Sequence, residues 1–216
     1  MQTLTESFFA LAPPGGLFDE SAVQVVFPEV SEGARKQLVH RALCEGEVSR
    51  LKPGLYALSP DYRKSSPHPF VIAAALHSPS HVSLESALSH HGLIPEVVFQ
   101  VSSVTVRRSR SFETPLGNFQ FYRVPSEQPR AGVVAEKLDQ HSWAFVASPL
   151  RAIADLVYLR KEVRWRDAMK FLTDSMRIDE EDLRALDFAE LDEISDAIRN
   201  QRTRWFLRAL REDLAR

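Results

Sequence analysis

The stretch Arg35-Lys36-Gln37-Leu38-Val39-His40-Arg41 gathers four basic side chains and an amide within two helical turns. Arg50 and Lys52 follow a short way downstream. Lys36 and His40 are four residues apart, so a helix puts them on one face. Guanidinium, ammonium and imidazolium groups hold phosphate oxygens, whereas the Gln37 amide has the geometry to pair with adenine, and Lys36 or Arg35 to meet guanine or phosphate. The chemistry these residues suit is therefore recognition of a nucleic acid. Glu32, Glu45 and Glu47 lie close by and dilute the positive field. A solvated helix face that happens to be basic remains the alternative reading.

Other constellations are weaker. Arg107, Arg108 and Arg110 form a second basic cluster beside a predicted strand. They suit contact with nucleic acid or an acidic protein, or serve to discourage edge pairing. Asp155 stands in an apolar helical stretch and needs a partner if buried; Arg107, Arg108 and Arg151 are the candidates. His90 and His91 are adjacent, so on a helix they point about 100° apart and do not readily share a metal. His77 and His81 flank Pro79, which breaks helical spacing. The acidic runs 179–182 and 190–193 read as helix N-terminal charges and solvated faces. No glycine pattern fits a dinucleotide or phosphate loop, and no nucleophile elbow is present. The expectation is a protein that is not an enzyme, with no catalytic residues, no metal and no cofactor.

The elements that must position these groups follow from periodicity and punctuation. Across 216 residues, 44% are apolar and 26% charged, values that support a packed core. The formal net charge of −2 argues against non-specific coating of nucleic acid but not against a site-specific binder. A single cysteine, Cys44, excludes an internal disulfide framework. No apolar run is long enough to span a membrane, and the N-terminus lacks a basic region typical of a secretory signal, so a cytoplasmic location is expected. Residues 3–11 predict a helix with Leu4, Phe8 and Leu11 on one face. Asp19 caps a second over 20–26, and Ser31 caps a third whose buried stripe is Leu38, Val39, Ala42 and Leu43. Two short strands around Pro53-Gly54 form a hairpin. Three helices and a hairpin within about 60 residues is the layout of a winged helix-turn-helix.

The polar, proline-rich stretch 61–69 is expected to link this unit to a second domain. The expected organisation is thus a winged helix DNA-binding domain over 1–60, a linker over 61–69 and a larger mixed α+β domain over 70–216. In that second domain the pattern gives a helix over 69–76, a helix capped by Ser83 or Ser80, strands over 97–106 and 141–147, a hairpin within 110–124, and a helix opened by Pro149. The last third is helical, with Trp165, Trp205 and Phe206 as expected anchors of self-association.

Four segments, in order, resemble the AbiEi family of antitoxins and transcriptional repressors of type IV toxin–antitoxin systems. They are RLKPGLYAL (Arg50 to Leu58), SPSHVSLESALSHHGLIP (Ser78 to Pro95), SVTVRRSRSFETPLGNFQFYRV (Ser103 to Val124) and FVASPLRAIADLVYL (Phe145 to Leu159). Together they cover about half the chain. The resemblance implies an N-terminal winged helix that binds double-stranded operator DNA and represses its own operon. It also implies a C-terminal domain that supports pairing of protomers and counteracts a nucleotidyltransferase-like toxin encoded alongside. On it, the recognition helix falls on Ser31 to Cys44 and the wing on Val48 to Leu58. Arg35, Lys36, Gln37, His40, Arg41, Arg50 and Lys52 would then be the DNA-binding residues. One departure is clear: where the family commonly has Pro-Glu-Lys-Ala, this chain has Pro149-Leu150-Arg151-Ala152. The alternative function is a protein-interaction module that keeps the winged helix as a scaffold without binding DNA.

Overall fold

The computed structural model describes residues 3–95, 99–140 and 142–215. The protein is an α+β fold with two sheets and several helices. Its first part runs α1 (Leu4–Leu11), β1 (Leu17–Asp19), α2 (Glu20–Val26), α3 (Glu32–Cys44), β2 (Val48–Lys52) and β3 (Leu55–Leu58). The helices begin where side chains satisfy free backbone N–H groups. Thr3 and Glu6 form a reciprocal capping box on α1. Asp19 accepts from Ala22 N at the start of α2, and Ser31 from Ala34 N at the start of α3. The expected α1 face holds for Leu4 and Phe8, which are buried, but Leu11 is 59% exposed. The helix ends at that residue, so nothing packs beyond it.

The three strands form an antiparallel sheet in the order β1-β3-β2. Strand β1 is an element that sequence periodicity does not reveal, because three residues carry no measurable alternation. Both faces of this sheet are covered. Phe18, Val48, Tyr56 and Leu58 pack with Leu4, Phe8, Val23, Val39 and Ala42 of the three helices. Leu51, Leu55 and Ala57 pack instead with Ile72, Ala73, Leu76, Phe119 and Phe121 from the following part of the chain. Alternation in β3 therefore feeds two cores. Residues 61–69 run mainly over the surface, with Pro67 buried. Gly15, at φ +62°, lies against it; a Cβ there would stand 2.6 Å from Pro67, which ties this position to glycine.

The second part contains α4 (Pro69–Leu76), β4 (His81–Val82), α5 (Leu84–His90), β5 (Gln100–Thr105), β6 (Arg110–Thr114), β7 (Gly117–Arg123), β8 (Val133–Lys137), β9 (Trp143–Ala147) and α6 (Pro149–Leu159). After these come α7 (Ala168–Lys170), which continues as a π-helical turn to Ser175, then α8 (Glu180–Arg184), α9 (Leu191–Ile198) and α10 (Gln201–Leu214). The strands make a six-stranded mixed sheet in the order β6-β7-β5-β4-β9-β8. The expected strands over 97–106 and 141–147 appear as β5 and β9; residues 97, 98 and 141 lie outside the described residues. Helix α6 is the centre of the largest core, where Ile153, Ala154 and Val157 meet Val146, Ala147, Ile194, Phe206 and Leu207. Phe206 is fully buried there and is no surface anchor, whereas Trp165 and Trp205 are 37% and 48% exposed and tilt against each other at 6.2 Å.

A charged network lies within this core. Asp155 is fully buried and accepts from Arg151 Nε at 3.0 Å and from Ser83 Oγ at 2.8 Å, with His81 Nε2 at 3.3 Å. Arg151 Nη1 donates to the carbonyl of Ala131. Gly132, at φ +64°, allows that close approach: a Cβ there would come within 2.9 Å of Arg151 Cβ. Burial pushes the Asp155 carboxyl up, but the Arg151 guanidinium, His81 and Ser83 together outweigh it and hold the group below the usual carboxylate range. Of the partners expected from sequence, Arg151 is the one used. Ser83 does occupy the position before α5, but its hydroxyl makes no cap; it is spent on Asp155.

Candidate nucleic-acid interface

Helix α3 buries Val39 and Ala42, with Leu38 and Leu43 half-buried beside them. The opposite stripe is exposed and contains Gly33, Lys36, Gln37, His40, Arg41 and Cys44. A glycine inside a helix weakens it by about 1 kcal/mol against alanine. Gly33 has open space where its Cβ would be, so packing does not require it. What its small size provides is close access to the helix backbone.

The basic residues divide by what they touch. Lys36 and Glu32 form an exposed ion pair, with Nζ 2.5 Å from the carboxylate. The hydrogen bond, and then the Coulomb attraction, lower Glu32 and raise Lys36 from their usual values. Such a pair is screened by water and readily exchanged for another anion. His40 Nε2 lies 3.6 Å from Cys44 Sγ. Gln37 and Arg41 are exposed. Arg35 behaves differently. Its Nη1 donates to the carbonyls of Val30 and Phe27, so it staples the turn between α2 and α3. Among the acidic neighbours, Glu47 is turned inward and accepts from Thr5 Oγ1, which removes it from the stripe.

Arg50 and Lys52 part company. In a regular strand, residues two apart share a face. Here the pairing shifts between Arg50↔Tyr56 and Lys52↔Leu55, leaving Leu51 as an extra residue. That β-bulge reverses the faces. Arg50 stays on the side of α3, its guanidinium 5.9 Å from the Tyr56 ring. Tyr56 in turn lines a groove of about 280 Å³ together with Glu20, Gln24, Arg35 and Lys36. Of the α3 stripe, Lys36 borders this groove, and Arg50 is joined to it through the Tyr56 ring. Lys52 points the opposite way, and its ammonium donates to the carbonyls of Ala75 and Leu76 at 2.8 and 2.6 Å. It closes the C-terminal end of α4, where free carbonyls and the helix dipole favour a cation. Burial, then the charge of Arg110, lowers its pKa from the usual lysine value. The hairpin turn is also held: Glu20 N donates to the Gly54 carbonyl at 3.2 Å.

The second basic cluster lies near the other end of this joint. Arg107, Arg108 and Arg110 are exposed at the turn into β6, and His77 behind them is pushed below its usual value by burial and then by Arg110 and Arg107. The structure leaves Lys36, Gln37, His40 and Arg41 exposed on α3 and Arg50 exposed on the α3 side of the small sheet. It turns Arg35 and Lys52 to structural duties and sets the second cluster beside Lys52, on the opposite face of the small sheet.

The histidines of the second part also have protein partners. His90 Nε2 meets Glu136, and His91 Nε2 lies 2.8 Å from the Ala147 carbonyl. Among the described residues no group of three or more His, Cys, Asp or Glu is arranged to hold a metal ion. No helix of the described residues is long and apolar enough to cross a membrane.

No protein-family model matches the chain, and no curated protein is significantly similar to it.

Proposed function

We propose that the protein is a sequence-specific DNA-binding regulator whose first 60 residues act as a winged helix-turn-helix, with α3 as the reading helix. The observation that carries this is the exposed α3 stripe of Lys36, Gln37, His40 and Arg41, on the outward side of a helix firmly seated by Val39 and Ala42, with Arg50 exposed on the α3 side of the small sheet. In this reading α3 enters the major groove of operator DNA, with Lys36, Gln37 and His40 towards base edges and Arg50 towards a flanking phosphate. Lys36 exchanges Glu32 for the nucleic acid on binding. Strand β3 is buried along its length, so Arg50, rather than a long projecting hairpin, makes the flanking contact.

The four-segment resemblance to AbiEi antitoxins extends the proposal to autorepression of a toxin–antitoxin operon. The partner would be a nucleotidyltransferase-like toxin encoded alongside, and protomers would associate on DNA. The competing reading is a protein-interaction module. It draws on the exposed Val134, Trp143 and Phe145 of β8 and β9 and on the burial of the hairpin as an internal layer.

Fluorescence anisotropy of the whole protein on its native upstream duplex and on a scrambled duplex separates the two. Gln37→Ala should reduce discrimination at one base pair by about 1–3 kcal/mol if the contact is bidentate. Equal affinity for native and scrambled DNA by the unaltered protein, or no effect of Gln37→Ala and Arg41→Ala, would reject α3 as the reading surface.

A further inference from the structure

A pocket of about 120 Å³ opens between β4, β5, the start of β8 and β9, on the mouth side of the Asp155 network. Its inner end is polar. Arg151 and His81 line it, and both are held from behind by Asp155. Arg151 uses Nε for Asp155 and Nη1 for Ala131, so its third nitrogen, Nη2, has no hydrogen-bond partner among the described residues. Arg151 lines the pocket, so the donor it does not spend on Asp155 or Ala131 is available to an acceptor there. The lining carries a second cation: Arg130 lies with its guanidinium 4.6 Å from the Phe145 ring centre and makes no ion pair among the described residues. Apolar side chains, Val104, Val106, Val124 and Val133 among them, form much of the remaining lining. Among the described residues no acidic side chain lines the pocket.

We propose that this pocket binds a small organic anion, a carboxylate with a short apolar tail, with Arg151 Nη2 and Arg130 receiving the carboxylate and the valines enclosing the tail. Two observations select this class. Arg151 and Asp155 neutralise each other, so Arg130 is the uncompensated charge and a single negative charge is the complement. The volume is slightly below that of a cavity that holds benzene, about 150 Å³, which limits the ligand to roughly six heavy atoms. The site is distant in the chain from α3 and does not rest on the DNA reading.

Calorimetric titration of the whole protein with butanoate tests the proposal, with butanamide as the neutral counterpart of the same shape. Butanoate should bind saturably at one site, and butanamide at least roughly tenfold more weakly, the difference expected for losing a charge-assisted pair of hydrogen bonds. Val106→Phe fills the pocket from its wall without touching Arg151, His81 or Asp155, and should abolish binding while the thermal transition stays cooperative. Should that variant fail to fold, Val133→Phe fills the same space from the opposite wall. Absence of saturable binding, equal binding of the amide, or undiminished binding by the filled variant would each overturn the proposal.

Discussion

Two regions of this molecule handle charge in opposite ways. On α3, Lys36, Gln37, His40 and Arg41 face water and contribute little to holding the fold. Around α6, Arg151, Asp155, His81 and Ser83 are all buried and joined by direct hydrogen bonds. An exposed charge gives up little hydration and is free to meet an external partner. A buried one is stable only while its own partners remain. The contrast teaches which substitutions should disturb stability and which should disturb recognition alone.

The largest effect is expected at Asp155. Asp155→Ala leaves Arg151 buried without its counter-charge and should lower stability by about 3–5 kcal/mol, as breaking one side of a buried pair does; denaturant unfolding measures it. A loss under about 1 kcal/mol would show that the network is dispensable. The same carboxyl gives a pH dependence. Its folded pKa lies below its unfolded value, so its contribution is present above the ordinary carboxylate pKa of about 4 and is lost as pH falls through the lower folded value. Acid unfolding of the parent should therefore steepen below about pH 4, and Asp155→Asn should flatten that limb. Next comes Ser83→Ala, which removes a hydrogen bond to a charged group and should cost about 1.5–3 kcal/mol. That is more than an ordinary capping serine, and the loss should largely disappear in an Asp155→Asn background, because both act through the same carboxylate.

The comparison also marks where sequence reading carries through. Helices α2, α3 and α4 begin where Asp19, Ser31 and Pro69 signal them, because capping and proline geometry are local. The buried stripe of α3 follows from its period. The small strands β1 and β4 escape because two or three residues carry no alternation. Strand β8 escapes because its Val134 and Ala135 are exposed at the sheet edge and leave no clean inward–outward pattern. Arg151 is readable as a partner of Asp155 from its i,i+4 spacing, while His81 and Ser83, 74 and 72 residues away, are brought there only by tertiary packing. For the candidate interface, the exposed α3 residues follow from helical geometry. The division between Arg50 and Lys52 depends on a one-residue bulge that no residue-type pattern announces.

That division offers the most direct measurement: the salt dependence of duplex binding for Arg50→Ala and Lys52→Ala compared side by side. Arg50→Ala should weaken binding to native and scrambled duplexes alike and reduce the slope of log K against log salt by about 1, the signature of one lost phosphate contact. Lys52→Ala should leave that slope unchanged while lowering thermal stability, since its ammonium is engaged with the end of α4. If Lys52→Ala lowers the slope as Arg50→Ala does, or if neither substitution changes it, the assignment of the DNA-facing surface to α3 and Arg50 is contradicted.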